Sequence, residues 1–121
     1  MRIAVSQWNG RVSPVFDVAE RLLLVDIADD EIDREINRES VYLTSVEPFG
    51  RIRELSRIGA DILICGAISF ALENALKQAG IRVIGFTCGD LDAVVDAFQD
   101  GCLGDECFRM PGQKATHGSW D

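Results

Sequence analysis

The stretch from Gly59 to Phe86, GADILICGAISFALENALKQAGIRVIGF, constrains the fold more than any other part of the chain. Ile62-Leu63-Ile64-Cys65 is an unbroken apolar run, which suits a strand covered on both faces. Gly66 interrupts it, and Ser69 is placed to cap a helix. Leu72, Ala75, Leu76 and Ala79 then recur at i, i+3, i+4 and i+7, a single buried helical stripe. Gly80 stands where a left-handed residue ends a helix, and Ile81-Arg82-Val83-Ile84 forms a second apolar run. Two strands joined through a covered helix imply a parallel pair with a right-handed crossover. In such sheets ligands meet the carboxyl ends of the strands. Cys65 and Gly66 lie at one such end, and Cys88 lies just beyond the other.

The flanking segments extend this unit into a single domain. Arg2 to Ser6 reads as a first strand and Arg21 to Ile27 as a second, with the Asn9-Gly10 turn and a Ser13-Pro14 loop between them. Asp17 to Glu20 suits a single helical turn. Ile32 to Tyr42 alternates weakly among charges, as an edge strand does. Pro48 fits the first position of a helix whose apolar face is Phe49, Ile52, Leu55 and Ile58. Asp90 is a candidate cap for a last helix with Leu91, Val94, Val95 and Phe98 on one face. The order β-β-β-α-β-α-β-α predicts a three-layer α/β/α domain with a mixed five-stranded sheet. The first, fourth and fifth strands are expected to be parallel, and the second antiparallel to the first. The domain covers residues 1–101, and residues 102–121 form a cysteine-containing, flexible tail by composition.

Charge narrows the partners. A net charge of −8 over 121 residues repels nucleic acid and anionic membranes, so neither is expected to bind. No apolar run approaches the ~18 residues of a membrane span. Met1-Arg2-Ile3 opens directly into a strand, so a cytoplasmic location is expected. In that compartment the four cysteines, at 65, 88, 102 and 107, are not expected to form disulfides. Packing, metal binding and redox roles then compete.

The motifs resemble the dinitrogenase iron–molybdenum cofactor biosynthesis family, the NifX-like and orange-protein-like domains. MRIAVSQWNGRVSPVFDVAERLLLVDI is similar to the family's opening strand, glycine turn, "V-S-x-x-F" loop and second strand. GADILICGAISFALENALKQAGIRVI is similar to its "G-A-D-x-x-I-C-G-G-I-G" strand-turn and helix, and LDAVVDAFQDG to its last helix. The resemblance covers roughly residues 1–103. It implies a ribonuclease H-like α/β/α motif and the handling of metal–sulfur clusters, such as nitrogenase cofactor precursors, together with cluster-assembly proteins. Many relatives carry "H-F-G" in the loop, where this chain has Val15, Phe16 and Asp17. The histidine ligand is therefore absent from this loop. Ala67 and Ser69 replace two glycines of the turn.

Three loops are expected to converge at the carboxyl edge: Gln7 to Arg11, Cys65 to Ser69 and Thr87 to Asp90. Helix N-termini near Ser69 and Asp90 would offer amides to an anion, and Arg11 a mobile cation. The candidate cofactor-binding residues are Asn9, Gly10, Arg11, Cys65, Gly66, Ala67, Ser69 and Cys88. Cys65 and Cys88 are candidate thiolate ligands for a soft metal. Equally, Cys65 is suited to pack as a small hydrophobe and Gly66 to permit a tight turn. A phosphate or carboxylate metabolite would fit the same edge. Trp8 would cover a ligand there or anchor the loop. Cys102 and Cys107, spaced C-x4-C, are candidate tail ligands with His117 as a third. The last helix is expected to carry the chain about 15 Å from the carboxyl edge, so Cys102 starts near the opposite edge unless the tail folds back.

Ribonuclease H chemistry needs an acidic residue on the first strand, and Ile3 to Ser6 has none. No Ser-His-Asp or Cys-His arrangement is evident. The expected function is non-enzymatic binding or carriage of an anionic metal–sulfur cluster or its precursor, of iron–sulfur, iron–molybdenum or thiomolybdate type. The alternative is a protein-interaction or regulatory module whose acidic surface and tail contact a partner, with no cluster.

Overall fold

The computed structural model describes residues 1–28, 35–45, 47–101 and 108. Its sheet contains β1 (Arg2–Trp8), β2 (Arg11–Val12), β3 (Arg21–Ile27), β4 (Glu35–Tyr42), β5 (Ile62–Ile64) and β6 (Arg82–Ile84), and its helices are α1 (Pro48–Ile58), α2 (Phe70–Gln78) and α3 (Leu91–Gln99). The five longer strands run β4-β3-β1-β5-β6. β5 and β6 are parallel to β1 and to each other in sequence, whereas β3 is antiparallel to β1 and β4 antiparallel to β3. The strand directions agree with the sequence pattern.

One strand was not expected. The sheet has six strands, because β2 folds back on the end of β1 in the register Gln7↔Val12 and Trp8↔Arg11. Asn9 at φ 51° and Gly10 at φ 76° supply the two left-handed residues that a tight two-residue hairpin needs. The Asn-Gly pair was thus a hairpin signal and not merely a turn.

Side chains alternate across the sheet and divide the core into two. Ala4, Leu22, Leu24, Leu63 and Cys65 pack with Leu55 of α1 and with Leu72 and Leu76 of α2. Ile3, Val5, Leu23, Val25, Ile62 and Ile64 pack with Leu91, Val94, Val95 and Ala97 of α3. The helices therefore cover both faces, giving the three-layer α/β/α arrangement.

The face of α1 differs from the periodic expectation. Phe49 is 70% exposed, while Arg51 is buried at 4%. Arg51 donates from Nη1 to the carbonyls of Ala19 (2.6 Å) and Phe16 (3.4 Å), and its guanidinium lies 5.7 Å from the Phe16 ring centre. A charged side chain replaces the expected apolar one because two loop carbonyls need donors there. On α2 the buried residues are Leu72 and Leu76, and Ala79 is exposed.

Both expected caps, Ser69 and Asp90, occupy the N-cap position, but neither side chain makes the capping hydrogen bond. Gly59 ends α1 in the left-handed region at φ 82°. The acidic run Asp29 to Glu31 lies outside the described residues.

Carboxylates tie the elements together. Arg2 Nε donates to Asp26 Oδ1 at 2.8 Å and holds that carboxyl below its usual range against the opposing effect of burial. Burial pushes the Glu54 carboxyl up, but the amides of Thr44 and Ser45, the Thr44 hydroxyl and the Arg57 charge outweigh it and hold it low. A carboxyl lowered on folding stabilises the fold above its unfolded pKa and loses that contribution as pH falls through the folded value.

Two outcomes follow. Leu55→Ala is expected to cost about 2–5 kcal/mol in urea unfolding, while Phe49→Ala stays within about 0.5 kcal/mol. Lowering pH from about 7 to about 3 is expected to lower the urea midpoint, and Glu54→Gln to make that fall shallower. A midpoint whose pH dependence is the same in Glu54→Gln would contradict this.

Candidate functional site

The sheet extends in opposite directions from β1, so the carboxyl ends of β1 and β5 flank a switch point, the usual ligand crevice of an open α/β sheet. Here the chain fills that crevice with its own loop. Ser13 N–H bonds to the Ser6 carbonyl at 2.9 Å, Ala67 N–H to the Pro14 carbonyl at 2.8 Å, and Phe16 N–H to the Ala67 carbonyl at 2.8 Å. Phe16 is fully buried below. A Cβ on Gly66 would lie 2.4 Å from the Ser13 oxygen and 2.5 Å from the Pro14 oxygen. Gly66 therefore has no side chain because backbone occupies the space.

Asp17 completes the plug. Its Oδ1 accepts from the Ser69 N–H at 3.0 Å, at the start of α2. The carboxylate satisfies an otherwise unpaired amide and complements the helix dipole. An external anion was expected at that amide, and the protein's own anion holds it. No sequence signal near Asp17 announced this cap, since its partner is 52 residues away.

A second set of contacts joins the β1–β2 hairpin to the loop before α3. Val12 N–H bonds to the Gly89 carbonyl and Leu91 N–H to the Gly10 carbonyl, both at 3.0 Å. Arg11 Nη1 lies 2.9 Å from Asp90 Oδ1. The expected mobile cation is thus held in an exposed ion pair. Cys88 is half-buried, and its N–H donates to the Phe108 carbonyl at 2.8 Å. Phe108 packs against the α3 core, with a ring carbon 3.4 Å from where a Cβ on Gly89 would lie. The chain beyond α3 therefore returns to the carboxyl edge. Cys102, Cys107 and His117 lie outside the described residues.

Cys65 is fully buried in the core shared by α1 and α2. Burial pushes its thiol up from the ordinary value, and the Glu73 and Asp17 carboxylates push in the same direction. A thiol in these surroundings resists becoming the thiolate that metal ligation requires. Its packing role is therefore the one the geometry favours. Among the described residues, no three His, Cys, Asp or Glu side chains come together as a metal site.

The three loops expected at the carboxyl edge do meet there, through backbone hydrogen bonds from Leu91 to Gly10 and from Thr87 to Cys65. An open cavity of about 380 Å³ lies instead on the β3 side of the plug, lined by Gln7, Trp8, Asn9, Ser13 to Val15 and Val18 to Arg21. Of the eight expected binding residues, Asn9 alone is among those lining it. Trp8 stands on its lip, 59% exposed. Arg21 was missed from the sequence because it reads as the first residue of a strand. Its guanidinium stacks 5.4 Å from the Tyr42 ring centre, so it is held at the cavity wall.

This geometry is that of a mixed α/β domain with an open cavity at the strand ends. The chain belongs to the dinitrogenase iron–molybdenum cofactor family, whose sequence profile matches residues 1–101. Among solved structures it is similar to the protein PH0822, with 24% identity over 84% of this chain and 92% of that one and a TM-score of 0.75. It is similar to the apo form of the orange protein from Desulfovibrio gigas, with 27% identity over 84% and 88% and a TM-score of 0.64. A protein from Methanocaldococcus jannaschii matches with 20% identity over 84% and 90% and a TM-score of 0.63. No curated protein matches the chain significantly.

The plug gives a clear expectation. Gly66→Ala should cost about 1–3 kcal/mol or more, because the obstructing atoms are backbone. Gly85→Ala meets the Ile68 side chain at 3.4 Å and the Gly66 carbonyl oxygen at an ordinary 3.8 Å, and should cost less than about 1 kcal/mol. Equal losses in thermal or urea unfolding would contradict the plug.

Proposed function

We propose that this domain binds and carries an anionic metal–sulfur cluster or its precursor, of iron–sulfur or molybdenum-containing type, without catalysing a reaction. Membership of the dinitrogenase iron–molybdenum cofactor family across residues 1–101 carries this reading. The likeness to the orange protein supports it. The cavity supplies the physical fit. It has room for a compact inorganic cluster, and Trp8, Asn9 and Arg21 on its walls each carry N–H donors suited to sulfide acceptors. Arg21 adds a positive charge in a chain of net −8. With Cys65 buried, non-covalent holding is favoured over ligation at the strand turn. Cys88 is the thiolate candidate that remains at the edge. Cys107 directly precedes Phe108 in the chain and is the other tail-side candidate. The acceptor would be a cluster-assembly protein, in a cytoplasmic setting that keeps both thiols reduced.

A second reading rests on a separate observation. Trp8, Val15, Val18, Tyr42, Phe49 and Phe70 are large, apolar and exposed, and the strand directions put all six toward the carboxyl edge. Such a concentration suits a protein-docking edge. In that case the module needs no cluster.

Anaerobic incubation with tetrathiomolybdate, or with iron and sulfide, followed by desalting, is expected to leave a stoichiometric visible chromophore. Arg21→Glu should weaken retention about tenfold, a loss of about 1.4 kcal/mol, and Cys65→Ser should leave it unchanged. A protein that stays colourless and metal-free in every such incubation would sink cluster carriage and leave the docking module.

A further inference from the structure

We propose that the cavity between Trp8 and Arg21 also takes a free zwitterionic amino acid with a large apolar side chain. This goes beyond cluster carriage and does not rest on it. The cavity carries features that an anionic cluster leaves unused. Glu20 lines it together with Arg21, and a carboxylate repels an anion. Val15 and Val18 line it as well and are exposed. Apolar surface of this kind contributes to binding by being covered with other apolar surface. Both charges are available to a ligand. Among the described residues, neither Glu20 nor Arg21 has an ion-pair partner. Arg21 rests on the Tyr42 ring, 5.4 Å from its centre. Consecutive residues of an extended chain point to opposite sides, which keeps the two charges apart while both border the cavity.

The walls are fixed before a ligand arrives. The Ala19 carbonyl accepts from Arg51 Nη1 at 2.6 Å, and the Glu20 carbonyl accepts from Leu43 N–H at 2.8 Å. Gln7, a buried lining residue, donates from Nε2 to Ser40 Oγ at 3.0 Å. A ligand therefore meets side chains whose backbone is already ordered, which lowers the entropic cost of binding. The volume of about 380 Å³ lies in the range of small-molecule sites, roughly 300–1,000 Å³. An α-amino acid carries its ammonium and carboxylate on one carbon, so it can meet neighbouring charges of both signs at once. The ammonium pairs with Glu20, the carboxylate with Arg21, and the side chain lies against Trp8, Val15 and Val18. An amino acid and a cluster would exclude each other from this space.

The test is an amide NMR titration of the full-length protein with L-phenylalanine and with analogues that each lack one recognised group. L-Phenylalanine is expected to give saturable shifts at Trp8, Val15, Val18 and Arg21. N-Acetyl-L-phenylalanine, without the ammonium, and L-phenylalaninamide, without the carboxylate, should each bind at least about fivefold more weakly. L-Alanine, without the apolar side chain, should bind at least about tenfold more weakly. Glu20→Gln should weaken L-phenylalanine but not its N-acetyl analogue, and Arg21→Gln should weaken L-phenylalanine but not its amide. Glu20 and Arg21 are exposed, so both variants are expected to melt as the parent does, and the analogue series in the unmodified chain stands without them. Absence of saturable shifts with L-phenylalanine would overturn the proposal. So would equal binding of L-phenylalanine and its analogues, or shifts centred away from the cavity. Tighter binding of AMP than of L-phenylalanine would overturn it too, since the site would then prefer an aromatic anion. No metal or cluster is present in any arm, so failure here is distinguishable from failure of cluster carriage.

Discussion

At the carboxyl ends of β1 and β5, the backbone of Ser13 and Pro14 lies where a side chain on residue 66 would begin. That close approach depends on Gly66, and much of the site follows from it. The loop is drawn into the crevice, Val15 and Ala67 form a bridge, and Phe16 drops into the core. Arg51 then supplies donors to the loop carbonyls from below, and Asp17 reaches the first amide of α2. A crevice that would otherwise receive a ligand becomes a structural joint. The open cavity lies on the β3 side, where the same loop forms one wall.

This joint alters what the electrostatics of the edge can do. A free helix N-terminus attracts anions through unpaired amides, but at Ser69 the amide already has a carboxylate partner. Arg11 is engaged with Asp90. Burial and two carboxylates disfavour a thiolate at Cys65. The features that make the edge look like an anion cradle in one dimension are spent on holding the loops together. Trp8, Asn9 and Arg21, which carry N–H donors, line the open cavity.

How far the fold could be read from the chain follows from the range of the interactions. The crossover unit, the three helices and the strand directions were legible because periodicity and glycine positions are local signals. The division of α1 was not, since one buried arginine and one exposed phenylalanine invert the stripe for a reason that lies on another loop. Asp17 stood out only as a replacement for a glycine common in relatives, and its role appears once Ser69 is beside it. The Asn9-Gly10 pair carried a hairpin signal that was understated. That the chain folds back was left open by the sequence, and its meeting with Cys88 at Phe108 could not be read, because nothing in the polar tail indicates its direction.

The family match covers residues 1–101, and the plug leaves the open cavity beside the loop and not beneath it. The most direct measurement is an amide NMR titration of the full-length protein with tetrathiomolybdate under anaerobic conditions. The predicted result is saturable shifts at Trp8, Asn9, Val15, Val18 and Arg21, with Cys65 to Ser69 changing little. Shifts concentrated at Cys65 to Ser69, with the cavity residues unmoved, would contradict the account, because the anion would then have displaced Asp17 from the crevice.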